Sequence, residues 1–236
     1  MADQLYFRQL LAGRDFAAGD PVATQMRNFA YLVGDRETGE AVVVDPAYAV
    51  RDLVALLEAD GMRLTGAIAT HYHADHVGGD LMGIPLPGIA ELLAEAPVPV
   101  HVNAVEREWV RRVTGVPEAD LRAHEHDDVL SVGSIDIRLL HTPGHTQGSQ
   151  CLLIGDRLIT GDTLFLEGCG RTDLPGGDAD EIFRSLQGLA GLPGDPVVYP
   201  GHQYSPEPSA ALSRVKAANF VFRPRSLEQW RQLFSG

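Results

Sequence analysis

Short apolar, β-branched runs alternate along the chain with segments whose apolar positions recur every three or four residues, and Gly or Pro punctuates the joins. Residues 4–10, 27–34 and 40–45 (EAVVVD) read as strands, with turn signals such as Glu37-Thr38-Gly39 between them. They predict an antiparallel opening. Val50, Leu53, Val54 and Leu57 then follow the i, i+3, i+4, i+7 pattern and Gly61 supplies a stop, so a helix is expected over 50–60. A buried strand over 65–70 runs directly into His71. Further strands are expected at 98–102, 135–140, 150–154, 157–160 and 196–199, with Gly155-Asp156 as a hairpin turn. Helices are expected at 104–113, from Asp178 to about Leu189, and behind Ser226. Asp178 with Glu181 and Ser226 with Gln229 each have N-terminal capping spacing.

The segment 80–97 (DLMGIPLPGIAELLAEAP) fits this alternation least. Two prolines break its front and its rear is a short helix, which predicts an excursion from the core, a lid or a partner surface. Strands outnumber helices in each half and helices follow strands, so sheet packed on sheet with helices outside is the expected layering. The organisation expected is one domain over 1–205, with a short helical extension over 206–236 packed on it.

The chain has 236 residues, 44% of them hydrophobic, which suffices for one substantial core. Its formal charge of −13 argues against nucleic acid or an anionic membrane as main partner, since both select basic surfaces. No apolar run approaches the roughly 18 residues of a membrane span, and residues 1–13 lack the pattern of a signal peptide. A soluble, cytoplasmic protein is expected. Two cysteines, Cys151 and Cys169, exclude both a disulfide scaffold and a cysteine zinc module.

Nine histidines remain, and their placement carries the chemistry. His71-Tyr72-His73-Ala74-Asp75-His76 follows the buried strand and enters a Gly78-Gly79 turn, so alternation puts His71 and His73 on one side of extended backbone. His145 stands in a Pro-Gly turn after a second strand, Asp162 follows Gly161 after a third, and His202 follows Pro200-Gly201 after a fourth. Five imidazoles and two carboxylates, with no thiolate, are too many for one four-coordinate ion. They fit two adjacent metals sharing a carboxylate. All-nitrogen-and-oxygen ligation permits zinc, iron or manganese, and zinc is the expected ion.

On these motifs the sequence resembles the metallo-β-lactamase superfamily from about residue 27 to 204. The resemblance implies an α/β fold, the four-layer αββα sandwich, with the site at one edge of two sheets. It implies His71, His73 and His145 at one metal, Asp75, His76 and His202 at the other, and Asp162 as the bridge. Two divalent ions would generate hydroxide at neutral pH and polarise a carbonyl; Asp75, together with Asp162, is a candidate catalytic carboxylate.

Gly161-Asp162-Thr163-Leu164-Phe165 followed by Gly168-Cys169-Gly170-Arg171-Thr172-Asp173 resembles the branch holding glyoxalase II, a hydroxyacylglutathione thioester hydrolase, and persulfide dioxygenase. This implies hydrolysis of a thioester or related activated ester, with an iron persulfide dioxygenase, a lactonase or another hydrolase of the same fold as alternatives. The expected partner is a small anionic substrate such as a glutathione or other thiol adduct; a homodimer is left open. Arg171, Cys169 and Tyr204 are the candidate substrate-binding residues: Arg171 either grips a carboxylate or pins its loop to a nearby Asp, and Cys169 either lines the site or packs. The cluster His124-Glu125-His126-Asp127-Asp128 reads as a solvated loop, and His101 and His141 as structural.

Overall fold

The protein is described by a computed structural model over residues 4–234. The outer ends of the two expected segments, 1–3 and 235–236, lie outside the described residues. One six-stranded sheet contains β1 (Leu5–Leu11), β2 (Phe29–Asp35), β3 (Glu40–Val44) and β4 (Arg63–Ile68), continued after a hairpin, β5 (Gly79–Leu81) and β6 (Ile84–Leu86), by β7 (Val100–Asn103) and β8 (Leu121–His124). The second contains β9 (Val129–Val132), β10 (Ile135–His141), β11 (Gln150–Ile154), β12 (Arg157–Gly161), β13 (Val197–Pro200) and β14 (Ala210–Ala211). The orders are β1-β2-β3-β4-β7-β8 and β14-β13-β12-β11-β10-β9.

The helices are α1 (Pro21–Met26), α2 (Val50–Ala59), α3 (Ala74–Val77), α4 (Ile89–Glu95), α5 (Arg107–Thr114), α6 (Ala179–Ala190), α7 (Leu212–Ala218) and α8 (Leu227–Phe234). Pairing is antiparallel from β1 to β3 and parallel from β3 through β4 and β7 to β8; in the second sheet only β12 and β13 are parallel. Each parallel step encloses a helix, as a crossover requires.

Alternation along the strands builds the layers. Phe29, Tyr31, Val33, Val42 and Val44 meet Ile137, Leu139, Leu152 and Ile159 between the sheets. Ala30, Leu32 and Val43 face the opposite way, onto Leu53, Leu57, Leu92 and Val110 of the helices. Leu140 and Leu158 do the same for the second sheet, beneath Ile182, Leu186, Leu212 and Trp230. Three apolar layers therefore separate four structural ones: the α/β, αββα sandwich of the metallo-β-lactamase type. At the C-terminal end α8 lies on α6, where Trp230 donates its indole proton to Ala179 O at 2.6 Å and faces Phe183.

Several elements differ from expectation for identifiable reasons. The fourth strand ends at Ile68 rather than Thr70, because Thr70 turns its N–H and hydroxyl onto the Asp45 carboxylate, 2.7 Å each. The front of 80–97 is a hairpin whose turn, Met82-Gly83, has positive φ at both residues (54° and 86°). That is the backbone of a tight hairpin turn carried by an unusual pair. Asp80 Oδ1 closes it by accepting Gly83 N–H at 2.7 Å. His124, expected in a loop, ends β8 and meets His101 ring to ring, nitrogens 2.8 Å apart.

Candidate metal centre

The loops that leave β4, β10, β12 and β13 at one edge of the sandwich bring together all seven side chains singled out in the sequence. The first loop is held by Asp45, whose carboxylate takes Thr70, and by buried Glu106, which accepts Tyr72 N–H at 2.9 Å. Glu106 also accepts the Thr146 hydroxyl (2.6 Å) and Gly148 N–H (2.8 Å), tying the His71–His73 turn to the His145 turn. The single turn of α3, which replaces the expected open turn, carries Asp75 and His76 inward.

Outer hydrogen bonds set the imidazoles. Nδ1 of His71 meets Thr70 Oγ1 (3.0 Å), Nδ1 of His76 meets Asp45 Oδ2 (3.0 Å), Nδ1 of His145 meets Arg171 O (2.7 Å), and Nδ1 of His202 meets Met26 O (2.8 Å). With Nδ1 engaged outward, each of these rings turns its Nε2 to the centre. His73 is reversed and presents Nδ1, lying 3.1 Å from His71 Nε2 and 3.0 Å from His145 Nε2.

A second group forms beside this trio. His76 Nε2 lies 3.2 Å from His202 Nε2 and 3.5 Å from Asp75 Oδ2, and His202 Nε2 lies 3.4 Å from Asp75 Oδ2. Asp162 stands between the groups: its carboxylate is 3.6 Å from His145 Nε2, 3.3 Å from His202 Nε2 and 3.4 Å from His76 Nε2. Ligand atoms around a tetrahedral ion with bonds of 2.0–2.1 Å stand about 3.3 Å apart, so both groups have the spacing of ligand sets. The donor chemistry agrees, because several imidazole nitrogens and carboxylate oxygens converging at 3.0–3.6 Å suit a shared cation. Buried Asp162 Oδ1 has no hydrogen-bond partner among the described residues, as expected of a carboxylate reserved for ions. Three groups of ligand atoms within 4.8 Å of one another occur among the described residues: His71/His73/His145, Asp75/His76/His202, and Asp45/His71/His76, which shares members with both.

Electrostatics divides the groups. Burial and the neighbouring imidazoles hold His71 well below the usual histidine range and His73 down at about 4, and burial lowers His145 as well, which favours the neutral, ligating form of the trio. Burial also opposes charge on His76, yet Asp162, Asp75 and Asp45 hold its pKa up at about 10. A cation entering there takes the place of a proton. Asp162 stays well below the carboxylate range despite its burial, because His202 and His76 face it.

Glycines make room for this packing. A Cβ on Gly170 would come within 2.1 Å of Asp162 O and 2.7 Å of His145 Nδ1, and one on Gly201 within 2.2 Å of Asp162 Oδ1.

Above the metal ligands opens a cavity of about 660 Å³, lined by Arg171, Cys169 and Tyr204 among others. Tyr204 stacks on His202 at 4.8 Å between ring centres. Burial pushes the Cys169 thiol up to about 12, which keeps it protonated and packed rather than reactive. Arg171 makes a two-pronged contact with Asp173, at 2.6 and 2.5 Å. His101, His124, His126 and His141 take no part in the ligand groups. Asn28, Tyr48, Asp45 and Glu106 support the site but were not singled out in the sequence. Asp45 carries a usable signal, since like the ligands it stands at a strand end.

Residues 23–202 match the family model of the metallo-beta-lactamase superfamily. The chain belongs to that superfamily, and its fold and paired ligand groups make it a dinuclear metallohydrolase. It is 30% identical over 204 residues to a probable polyketide biosynthesis zinc-dependent hydrolase of Bacillus velezensis, covering 86% of this chain and 85% of that one. It is 36% identical over 182 residues to the human mitochondrial persulfide dioxygenase, covering 75% of this chain and 64% of that one. Against a hydroxyacylglutathione hydrolase of Rhodopseudomonas palustris it is 34% identical over 211 residues, 89% of this chain and 75% of that one. The crystal structure of ETHE1 from Myxococcus xanthus superposes with a TM-score of 0.78 at 29% identity, covering 98% and 90% of the two chains. Among the described residues no helix is long and apolar enough to cross a membrane.

Proposed function

We propose that this protein is a thioester hydrolase, of the same reaction type as hydroxyacylglutathione hydrolase, that opens a thioester or comparably activated ester. The observation that carries the reading is the convergence of the seven candidate ligands at one edge of the sandwich, five of which, His73, Asp75, His145, Asp162 and His202, line a cavity of about 660 Å³. His71, His73 and His145 would hold one ion, Asp75, His76 and His202 the other, and Asp162 both. Zinc fits the nitrogen-rich donor set, with iron or manganese as alternatives. When bound, such ions act as Lewis acids and lower the pKa of water to about 7. Asp162 and Asp75 fix where charge can develop, and Asp75, with one oxygen toward His76 and His202, orients the attacking water. The site rests in one domain that includes the C-terminal helices, in a cytoplasmic protein.

A second reading, an iron persulfide dioxygenase, is favoured by the run from Gly168 to Asp173 and by the likeness to the human dioxygenase. The test is made on one preparation: metals are quantified, then thioester hydrolysis is compared with persulfide-dependent oxygen uptake. Zinc-loaded protein should cleave thioesters and chelated protein should not. Oxygen uptake that requires iron, without thioester cleavage, would replace the first reading with the second.

A further inference from the structure

The walls of the cavity differ in kind from its floor. Leu81 and Met82 reach in from the β5–β6 hairpin, Val113 from α5, Met26 from the end of α1, and Phe165 and Leu174 from loops beyond β12. Their sources are separate, yet all six present apolar surface. Met82 is 97% exposed at the hairpin tip, an unbranched apolar side chain that none of the described residues covers. Such a side chain adapts to ligands of varied length.

The charged side chains around these walls, apart from the ligand groups, are Asp80, Glu167 and Arg171. Asp80 and Glu167 are exposed acids. Arg171 is the only basic Lys or Arg side chain lining the cavity among the described residues, and its fork is closed on Asp173. A tripeptide thiol carries carboxylates that need cations along the cavity wall. These walls repel them, with two acids and a cation already engaged.

We propose that the cavity selects thioesters of an apolar acyl chain, several methylenes long, on an electrically neutral thiol, and discriminates against anionic tripeptide conjugates. This rests on the thioester-hydrolase reading. It revises the expectation of an anionic thiol adduct drawn from the sequence.

The test separates ligand class from chemistry. Binding of non-hydrolysable thioethers to the zinc-loaded protein is measured by calorimetry, using S-methyl, S-butyl and S-hexyl N-acetylcysteamine and S-hexylglutathione. Affinity should rise two- to fourfold per methylene, the effect of burying a CH₂. S-hexylglutathione should bind at least tenfold more weakly than its neutral counterpart. Met82→Ser should flatten the chain-length dependence and Met82→Leu should restore it. Equal or tighter binding of the glutathione compound, or affinity independent of chain length, would overturn the proposal. The matching thioesters are assayed in parallel: if the thioethers bind in the expected order and none of the thioesters is cleaved, the hydrolase reading fails while the ligand class stands.

Discussion

Tyr48 donates its hydroxyl proton to Asn28 Oδ1 at 2.8 Å, and this fixes which face of the Asn28 amide meets the metal ligands. The amide nitrogen lies 3.0 Å from Asp75 Oδ2, to which it donates, and both residues are buried. Removing an outer partner of a metal ligand typically costs ten- to a hundredfold in affinity. Tyr48→Phe and Asn28→Ala should each weaken binding at the Asp75/His76/His202 group by about that factor. Competition with a chelator should then show two classes of bound zinc, one of them unchanged.

His145→Ala should reduce bound metal from two ions toward one and suppress hydrolysis by several orders of magnitude. Asp162→Ala should affect both ions, because its carboxylate faces both groups. Metal analysis after gel filtration distinguishes the variants: loss of equal amounts in both would contradict a shared Asp162.

Glu106 accepts three hydrogen bonds, two of them from backbone N–H groups, which cannot accept one from an amide. Glu106→Gln therefore turns an N–H toward donors in a buried site, at an expected cost of about 1–3 kcal/mol. Because the bonds span two ligand turns, zinc affinity should fall together with the urea midpoint. A lowered midpoint with unchanged affinity would make Glu106 a structural residue alone.

Burial first, and then His124 and Arg122, push His101 down to about 4. Its folded value lies below its unfolded one, near 6.5, so the unfolded chain binds the proton first as pH falls. The associated stability is complete above about pH 6.5 and is lost progressively toward pH 4. His101→Gln should therefore remove part of the fall in stability between pH 7 and pH 5. Denaturant midpoints of the two proteins at both pH values measure it.

The ligands were legible in the sequence because each stands beside a glycine or in a tight turn at a strand end, and side-chain type there has few uses besides chemistry. The sandwich was legible because its strands alternate: Phe29, Tyr31 and Val33 enter one layer and Ala30 and Leu32 another. What escaped depends on contacts distant in the chain. Glu106 and Asn28 look like ordinary polar residues until α5 and the start of β2 are brought against the ligand loops. The Met82-Gly83 turn was missed because its backbone is set by the hairpin rather than by a residue that prefers positive φ. Arg171 could be read two ways, and the choice fell to the spacing of Asp173, two residues on.

The ligands are divided between the sheets, with His71, His73, Asp75 and His76 following β4 and His145, Asp162 and His202 following β10, β12 and β13. Neither half of the chain carries a full set of donors for a shared ion pair. Both complete ligand groups therefore form only when the second sheet has docked on the first, so tight binding of two ions reports the finished sandwich.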